Sequence, residues 1–358
     1  MLIARAPVRI SLAGGGSDLP AYYEAFGGAV LSTTIDKYFY VILNVCEDDK
    51  LQISSSDYRT FYLHDGAEPL LWDGDLRLPR AILSHFGIEY GVSMFLASEI
   101  PPGTGLGSSG AVAVAVIKAI STALGLQVGK DEIAELACHI EMNVLGAPIG
   151  KQDQYASAFG GLNWIDFSRE GVRVTPLKLR PEIEQRLERN LLLFFTGSSR
   201  SSSEILKKQT ENSQRQDATV ISALHKVKAM ADEVRSALER GDLTRYGELL
   251  HENWEQKKRF ANGISNPLID ESYGLARQLG AIGGKVTGAG GGGFLLLYCE
   301  SKHQDKVTRA LAQKGLKRMD FRFEKMGARV LMNAGLSMAL SSKMPVRELW
   351  SRSTCRPE

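Results

Sequence analysis

Val220, Leu224, Val227, Ala231, Val234 and Leu238 recur every three or four residues among mostly polar neighbours, which predicts one amphipathic helix ending at Gly241. The N-terminal half follows another rule. Met1–Leu12, Val30–Cys46 and Val92–Glu99 are rich in β-branched and aromatic residues with turn-like borders, and they read as strands. Between them, Ser56–Pro79 follows neither period and reads as irregular, with Asp65-Gly66 and Asp73-Gly74 as turn signals. A helix opens at Ser109 or Gly110, runs through Leu124 and is closed by Gly125. A second spans Asp131 to Leu145, with Asp131 as its N-cap and Gly146 and Pro148 as its stop. Leu191–Phe195 is a short buried strand, and Asn266-Pro267 caps a helix reaching Leu279. Phe294–Cys299, a helix from Lys302 to Gln313 and Met319–Phe323 form a βαβ-like ending.

Composition narrows the class. The chain has 358 residues, 44% of them hydrophobic and 23% charged, enough for a large folded core or two. The 43 Lys and Arg against 41 Asp and Glu leave no basic surplus of the kind nucleic-acid binding needs. Four separated cysteines, Cys46, Cys138, Cys299 and Cys355, suit a reducing compartment rather than a disulfide framework or a zinc site. The longest apolar run, Ala111–Ile117, is far short of the ~18 residues that span a bilayer. With Arg5 and Arg9 interrupting the N-terminus, no leader is expected, and the expectation is a cytoplasmic protein without membrane or nucleic-acid partners.

Glycine is the outlier, with 36 residues concentrated at Gly14-Gly15-Gly16, Gly103 to Gly110 and Gly283 to Gly293. The middle cluster, Pro101-Pro102-Gly103-Thr104-Gly105-Leu106-Gly107-Ser108-Ser109-Gly110, follows a strand and enters a helix of small residues. Unobstructed backbone N–H groups at a helix N-terminus make an anion site, and phosphate is the usual guest. Gly105, Gly107 and Gly110 also fit the dinucleotide fingerprint, with Asp131 downstream. The two prolines between strand and glycines disfavour that reading, and the Walker P-loop pattern is absent.

The decapeptide resembles the second signature of the GHMP kinases, the superfamily of galactokinase, homoserine kinase, mevalonate kinase and phosphomevalonate kinase. Two further stretches resemble its first and third signatures, in order: Ala6 to Asp18, and Lys285 to Phe294. The resemblance implies an α+β fold. An N-terminal βαβ-rich domain would hold the nucleotide and a ferredoxin-like C-terminal domain would complete it. Polar, Pro-containing Ser168–Glu182 is the best boundary, giving domains 1–175 and 176–340 and a basic tail 341–358.

What the resemblance implies for the site is specific. Pro102, Gly103, Gly105, Leu106, Gly107, Ser108, Ser109 and Gly110 would bind ATP. Asp153 stands twelve residues after Glu141, a spacing seen in galactokinase-like members. It would be the base that takes the acceptor's proton, with Arg9 as the charge partner that stabilises it and the developing charge. Ser109 and Glu141 would hold Mg²⁺. Gly16, Ser17, Asp18, Lys151, Gln152, Gly290 and Gly291 would face the acceptor, Asp18 through vicinal sugar hydroxyls.

The Gly-Gly-Gly-Ser-Asp version of the first motif is most similar to kinases of heptose 7-phosphate that act on the anomeric hydroxyl, with L-fucose kinases as the alternative. A sugar- and ATP-binding sensor without turnover is a third reading, disfavoured by intact Asp153 and Arg9. Thr196 to Ser203 carries Arg200 and five serines, with Lys207 and Lys208 a turn later. It reads equally as a seat for the sugar's phosphate or as a serine helix cap. Expected partners are ATP and a sugar or sugar phosphate, with a homodimer left open.

Overall fold

The structure, a computed structural model, describes residues 1–46, 50–65, 74–88, 91–197, 202–215 and 217–338. The first sheet begins with β1 (Leu2–Ala13) and the long β2 (Gly28–Val45), which flank α1 (Pro20–Phe26). A hairpin β3 (Leu51–Ser55) and β4 (Thr60–His64), helix α2 (Arg77–His85) and strand β5 (Val92–Ser98) follow. Next come helices α3 (Ser108–Ala123) and α4 (Lys130–His139), a π-helical turn at Ile140–Val144, and α5 (Gln152–Phe159). A hairpin β6 (Leu162–Ser168) and β7 (Gly171–Pro176) leads to α6 (Pro181–Asn190) and β8 (Leu191–Phe195). Four helices then run in succession: α7 (Ser202–Gln214), α8 (Ala218–Arg240), α9 (Leu243–Lys257) and α10 (Pro267–Gln278). The chain continues through β9 (Ala281–Val286), β10 (Phe294–Cys299), α11 (Ser301–Gln313), β11 (Lys317–Met319) and β12 (Arg329–Asn333).

Two sheets result. The first has the order β12-β1-β2-β5-β3-β4, with β6 and β7 pairing along the other half of β2. Only β3 and β5 are parallel among its described pairs, so this is not the parallel sheet of a dinucleotide fold. The second sheet has the order β11-β8-β10-β9, all antiparallel. Counted within that unit, the order is 4-1-3-2, the ferredoxin-like arrangement. The whole is an α+β, two-sheet fold. After β11 the chain crosses back, bridging Phe323 to Ile35 and adding β12 to the edge of β1.

Several expected elements shift. Ser56–Pro79 is not wholly irregular, because Thr60–His64 is an edge strand and α2 begins at Arg77. The edge strand turns Phe61 and Leu63 to solvent, so it lacks the buried apolar side that periodicity detects. The helix expected over Asp131–Leu145 begins at Lys130 with Gly129 as N-cap, placing Asp131 inside its first turn. It also changes register at Ile140, where Leu145 N–H donates to Ile140 O at 2.9 Å, an i→i+5 bond. The strand expected at Met319–Phe323 ends at Met319, because the residues beyond it serve the first sheet.

The core is continuous across both sheets. The predicted face of α8, from Val220 to Leu238, is buried, and Gly241 ends the helix in the left-handed conformation at φ 79°. Among the described residues no helix is long and apolar enough to cross a membrane, and Cys138 and Cys299 are free thiols.

Candidate active site

β1 and β2 pair evenly until a register shift between Pro7 and Arg9. A bulge bends a strand and re-aims the side chain beyond it. Here that residue is Arg9. Its backbone N–H donates to Leu106 O at 2.9 Å and its Nη1 to Gly105 O at 2.7 Å, so the strand is tied to the glycine loop. Its Nε donates to Asp153 Oδ1 at 2.8 Å, and Nη2 lies 2.6 Å from the same oxygen. Arg9 is 3% exposed, which makes this a sheltered, multiply bonded ion pair rather than a surface contact.

Asp153 reaches Arg9 because α5 lies hard against α3. A Cβ at Gly110 would sit 2.7 Å from Asp153 Cβ, so glycine is required for this approach. The same holds where the second and third glycine motifs meet. A Cβ at Gly288 would lie 2.4 Å from Gly105 Cα, and one at Gly105 would lie 2.5 Å from Thr287 O. The glycine clusters are therefore two loops packed backbone to backbone, closed by Thr287 Oγ1 donating to Thr104 O.

Asp18 is buried at the turn after β1. Its Oδ1 accepts from Gly16 N–H at 2.9 Å and its Oδ2 from Gln152 Nε2 at 3.2 Å. Burial, the largest influence, raises its pKa above the ordinary carboxylate value. Glu141 sits in the π turn and accepts from Gln154 Nε2 at 2.7 Å and from the Ser109 side chain. Burial pushes its pKa up to about 7.

One cleft gathers Arg9, Asp18, Gln152, Asp153, Gly16 and the α3 N-terminus at Gly107–Ser109. Three buried polar atoms in its lining lack hydrogen-bond partners: Ser11 Oγ, Ser108 Oγ and Gln152 Oε1. Such orphans are costly unless a guest or water satisfies them. A second pocket opens on the other side of the α3 N-terminus, sharing Gly103, Ser108 and Ser109. It is lined by Leu76, Leu78, Pro79, Leu96, Ile100 and Pro102.

Other expected residues are elsewhere. The Lys151 ammonium is engaged by Glu135 at 2.7 Å, and only its backbone N–H contacts Asp18, at 3.3 Å to the carbonyl. Ser17 Oγ is a structural latch, donating to Gly14 O and Ala29 O and accepting from Ala29 N–H. Gly290 and Gly291 pack against Ile264, and Gly291 O accepts from Asn266, while Gly288 and Ala289 line the cleft. Leu106 is buried behind the loop, and Arg200 lies outside the described residues. Sequence reasoning missed Lys257, Lys285, Leu206 and Gln209 in the cleft, and the whole apolar pocket. Lys285 opens the third motif but was given no role, and nothing in α9 marked Lys257.

The family model for the GHMP kinases N terminal domain matches residues 77–161, and the one for the GHMP kinases C terminal domain matches 234–317. D-glycero-alpha-D-manno-heptose 7-phosphate kinase of Campylobacter jejuni is 33% identical over 91% of this chain and 97% of its own. The chain belongs to the GHMP kinases. Among its relatives, mevalonate kinase of Pyrococcus horikoshii is 30% identical over 86% of this chain and 91% of its own. A crystal structure of a D-glycero-D-manno-heptose 1-phosphate kinase from Bacteroides thetaiotaomicron superposes with a TM-score of 0.78. It is 31% identical and covers 94% of this chain and 100% of that one. As a GHMP kinase the protein is a phosphotransferase.

Proposed function

We propose that this kinase transfers the terminal phosphoryl group of ATP to the anomeric hydroxyl of D-glycero-D-manno-heptose 7-phosphate. One observation carries the reading. The Asp153–Arg9 pair, the helix N-terminus and buried Asp18 share one cleft, the combination an in-line transfer needs. The apolar pocket suits the nucleotide base, and the N-terminal N–H groups of α3, with Ser108 Oγ, suit its phosphates. Asp18, the buried carboxylate in the cleft lining, suits the hydroxyls of a polyol better than an isoprenoid precursor. The relative named for heptose 7-phosphate supports the acceptor.

In the reaction the acceptor hydroxyl gives its proton to an Asp153 carboxylate oxygen as the new O–P bond forms and the bond from the γ-phosphorus to the bridging oxygen breaks, ADP leaving with that electron pair. Arg9 balances the carboxylate and holds its orientation through Gly105. Mg²⁺ is commonly bound by one or two carboxylates together with substrate phosphates. Ser109 and buried Glu141, in mutual contact beside the α3 N-terminus, fit that donor set and would hold the ion, which neutralises phosphate charge when bound.

Glu141 sets a pH limb. Its raised pKa means that the charged form appears only as pH rises through about 7. Accordingly kcat/KM for Mg-ATP should climb through about pH 7, and Glu141→Gln should abolish that limb. The same variant should melt higher than wild type at pH 8, where the native fold must hold a buried charge.

The acceptor is tested by coupled ADP release across free sugars and sugar phosphates, with phosphorus NMR locating the new phosphate. Heptose 7-phosphate should be used far better than any unphosphorylated hexose. Asp18→Ala should raise KM about 10- to 150-fold for phosphorylated and free sugars alike, since it meets hydroxyls both share. Equal turnover of free fucose would assign a fucose-type acceptor instead.

A further inference from the structure

Two lysines are buried in the cleft, and among the described residues neither forms an ion pair with a carboxylate. Lys285 on β9 is 2% exposed and Lys257 at the end of α9 is 8% exposed, and both line the cavity with Arg9 and Asp153. Lys257 Nζ donates to Val286 O at 3.3 Å and to Gly288 O, gripping the third glycine loop from below. The charged groups acting on Lys257 are Arg9 and Asp18, and those acting on Lys285 are Lys257 and Arg9. Arg9 is itself committed to Asp153. Three buried basic side chains thus converge, and among the described residues Asp18 is the one carboxylate acting on them that is not already paired. Burying an uncompensated ammonium is expensive, and two side by side more so. A fold that keeps them is prepared for a guest that supplies negative charge.

We propose that Lys285 and Lys257 form the seat of the nucleotide's terminal phosphoryl group, with Lys285 contacting its oxygens and Lys257 positioning the loop at 286–288. This rests on the kinase reading above. A phosphate dianion could come from the nucleotide or from the sugar. The nucleotide is favoured because Arg9 acts on both lysines while holding the base, and the transferred phosphorus must pass beside that base. The geometry has a titration consequence. Burial, then the Arg9 charge, lowers the Lys257 pKa to about 8, and burial with the Lys257 charge lowers Lys285 well below the ordinary lysine range. An anion in the seat raises both, so its binding takes up protons and weakens as pH rises through about 8.

The test compares Mg-AMP-PNP with Mg-ADP by calorimetry at pH 8, in two buffers of different ionisation enthalpy. The analogue should take up more protons than ADP, and Lys257→Met with Lys285→Met should erase the excess. In turnover, Lys285→Met should lower kcat about 100-fold on heptose 7-phosphate and unphosphorylated heptose alike, with Lys285→Arg recovering part. Its melting temperature should rise, because folding no longer has to bury an ammonium or strip its proton, whereas a lysine needed only for the fold would lower it. Equal proton uptake by both nucleotides overturns the proposal, as does a loss confined to the phosphorylated sugar. Turnover unaffected by Lys285→Met overturns it while leaving the kinase reading intact. A wild type that neither binds the analogue nor transfers phosphate overturns both.

Discussion

Asp153→Asn is expected to lower kcat by about 100- to 10,000-fold, the usual range for loss of a general base. The change keeps the side chain's shape, so α5 should still pack on α3 at Gly110. Asparagine's amide can still accept from Arg9 through its oxygen, which makes gross rearrangement of the loop unnecessary. Mg-ATP should therefore bind nearly as well as to wild type, and the loss should fall on kcat rather than on the nucleotide KM. Stopped ADP production with intact nucleotide protection against thermal unfolding is the expected pair of results. A variant that keeps more than a third of the wild-type rate would remove Asp153 from the role of base.

The parts of this site that were legible in the sequence are those whose chemistry is written in backbone terms. Glycines and small hydroxyl residues next to a helix start announce an anion site, whatever the fold around them. The strands of the first sheet were legible for a similar local reason, since β-branched and aromatic runs such as Val30–Val45 have few other uses. What failed was anything set by tertiary contact. α5 is eight residues long, begins with three polar side chains and follows a Pro- and Gly-bearing stretch, so Gln152–Phe159 offers no period to detect. Its helical start exists because Gln152 is held by Asp18 from a turn more than a hundred residues earlier.

Lys257 shows the other limit. It stands in Glu255-Gln256-Lys257-Lys258-Arg259, a run that reads as a solvated helix end, and Lys258 indeed pairs with Glu255 at the surface. Only the position of α9 against β9 turns its neighbour inward to the glycine loop. Ser17, Lys151, Gly290 and Gly291 illustrate the reverse case. They belong to matching motifs, yet their side chains or backbones are used to latch, pair and pack, and those uses hold the neighbouring residues in the cleft.

Gly105→Ala is expected to damage both halves of the cleft at once. Gly105 has φ 79°, in the left-handed region where a non-glycine residue costs roughly 1–2 kcal/mol. The added methyl would also sit 2.5 Å from Thr287 O and 2.8 Å from the Thr287 carbonyl carbon, both backbone atoms that no rotamer change can move. The second and third motifs must then separate. Separation withdraws the Gly105 carbonyl from Arg9 Nη1, and with it one of the contacts that orient the guanidinium toward Asp153. It also disturbs Gly288, whose carbonyl accepts from Lys257. The expected result is a stability loss of about 3 kcal/mol or more, with kcat/KM for ATP falling at least ~100-fold even at temperatures where the variant is folded. Gly125→Ala is the matched control. Gly125 has φ 70°, but no atom lies within 4 Å of its Cβ position, so it carries the backbone cost without the clash. If the two variants lose equal stability and Gly105→Ala keeps wild-type kcat/KM, the loop-to-loop contact does not set the geometry of the Arg9–Asp153 pair.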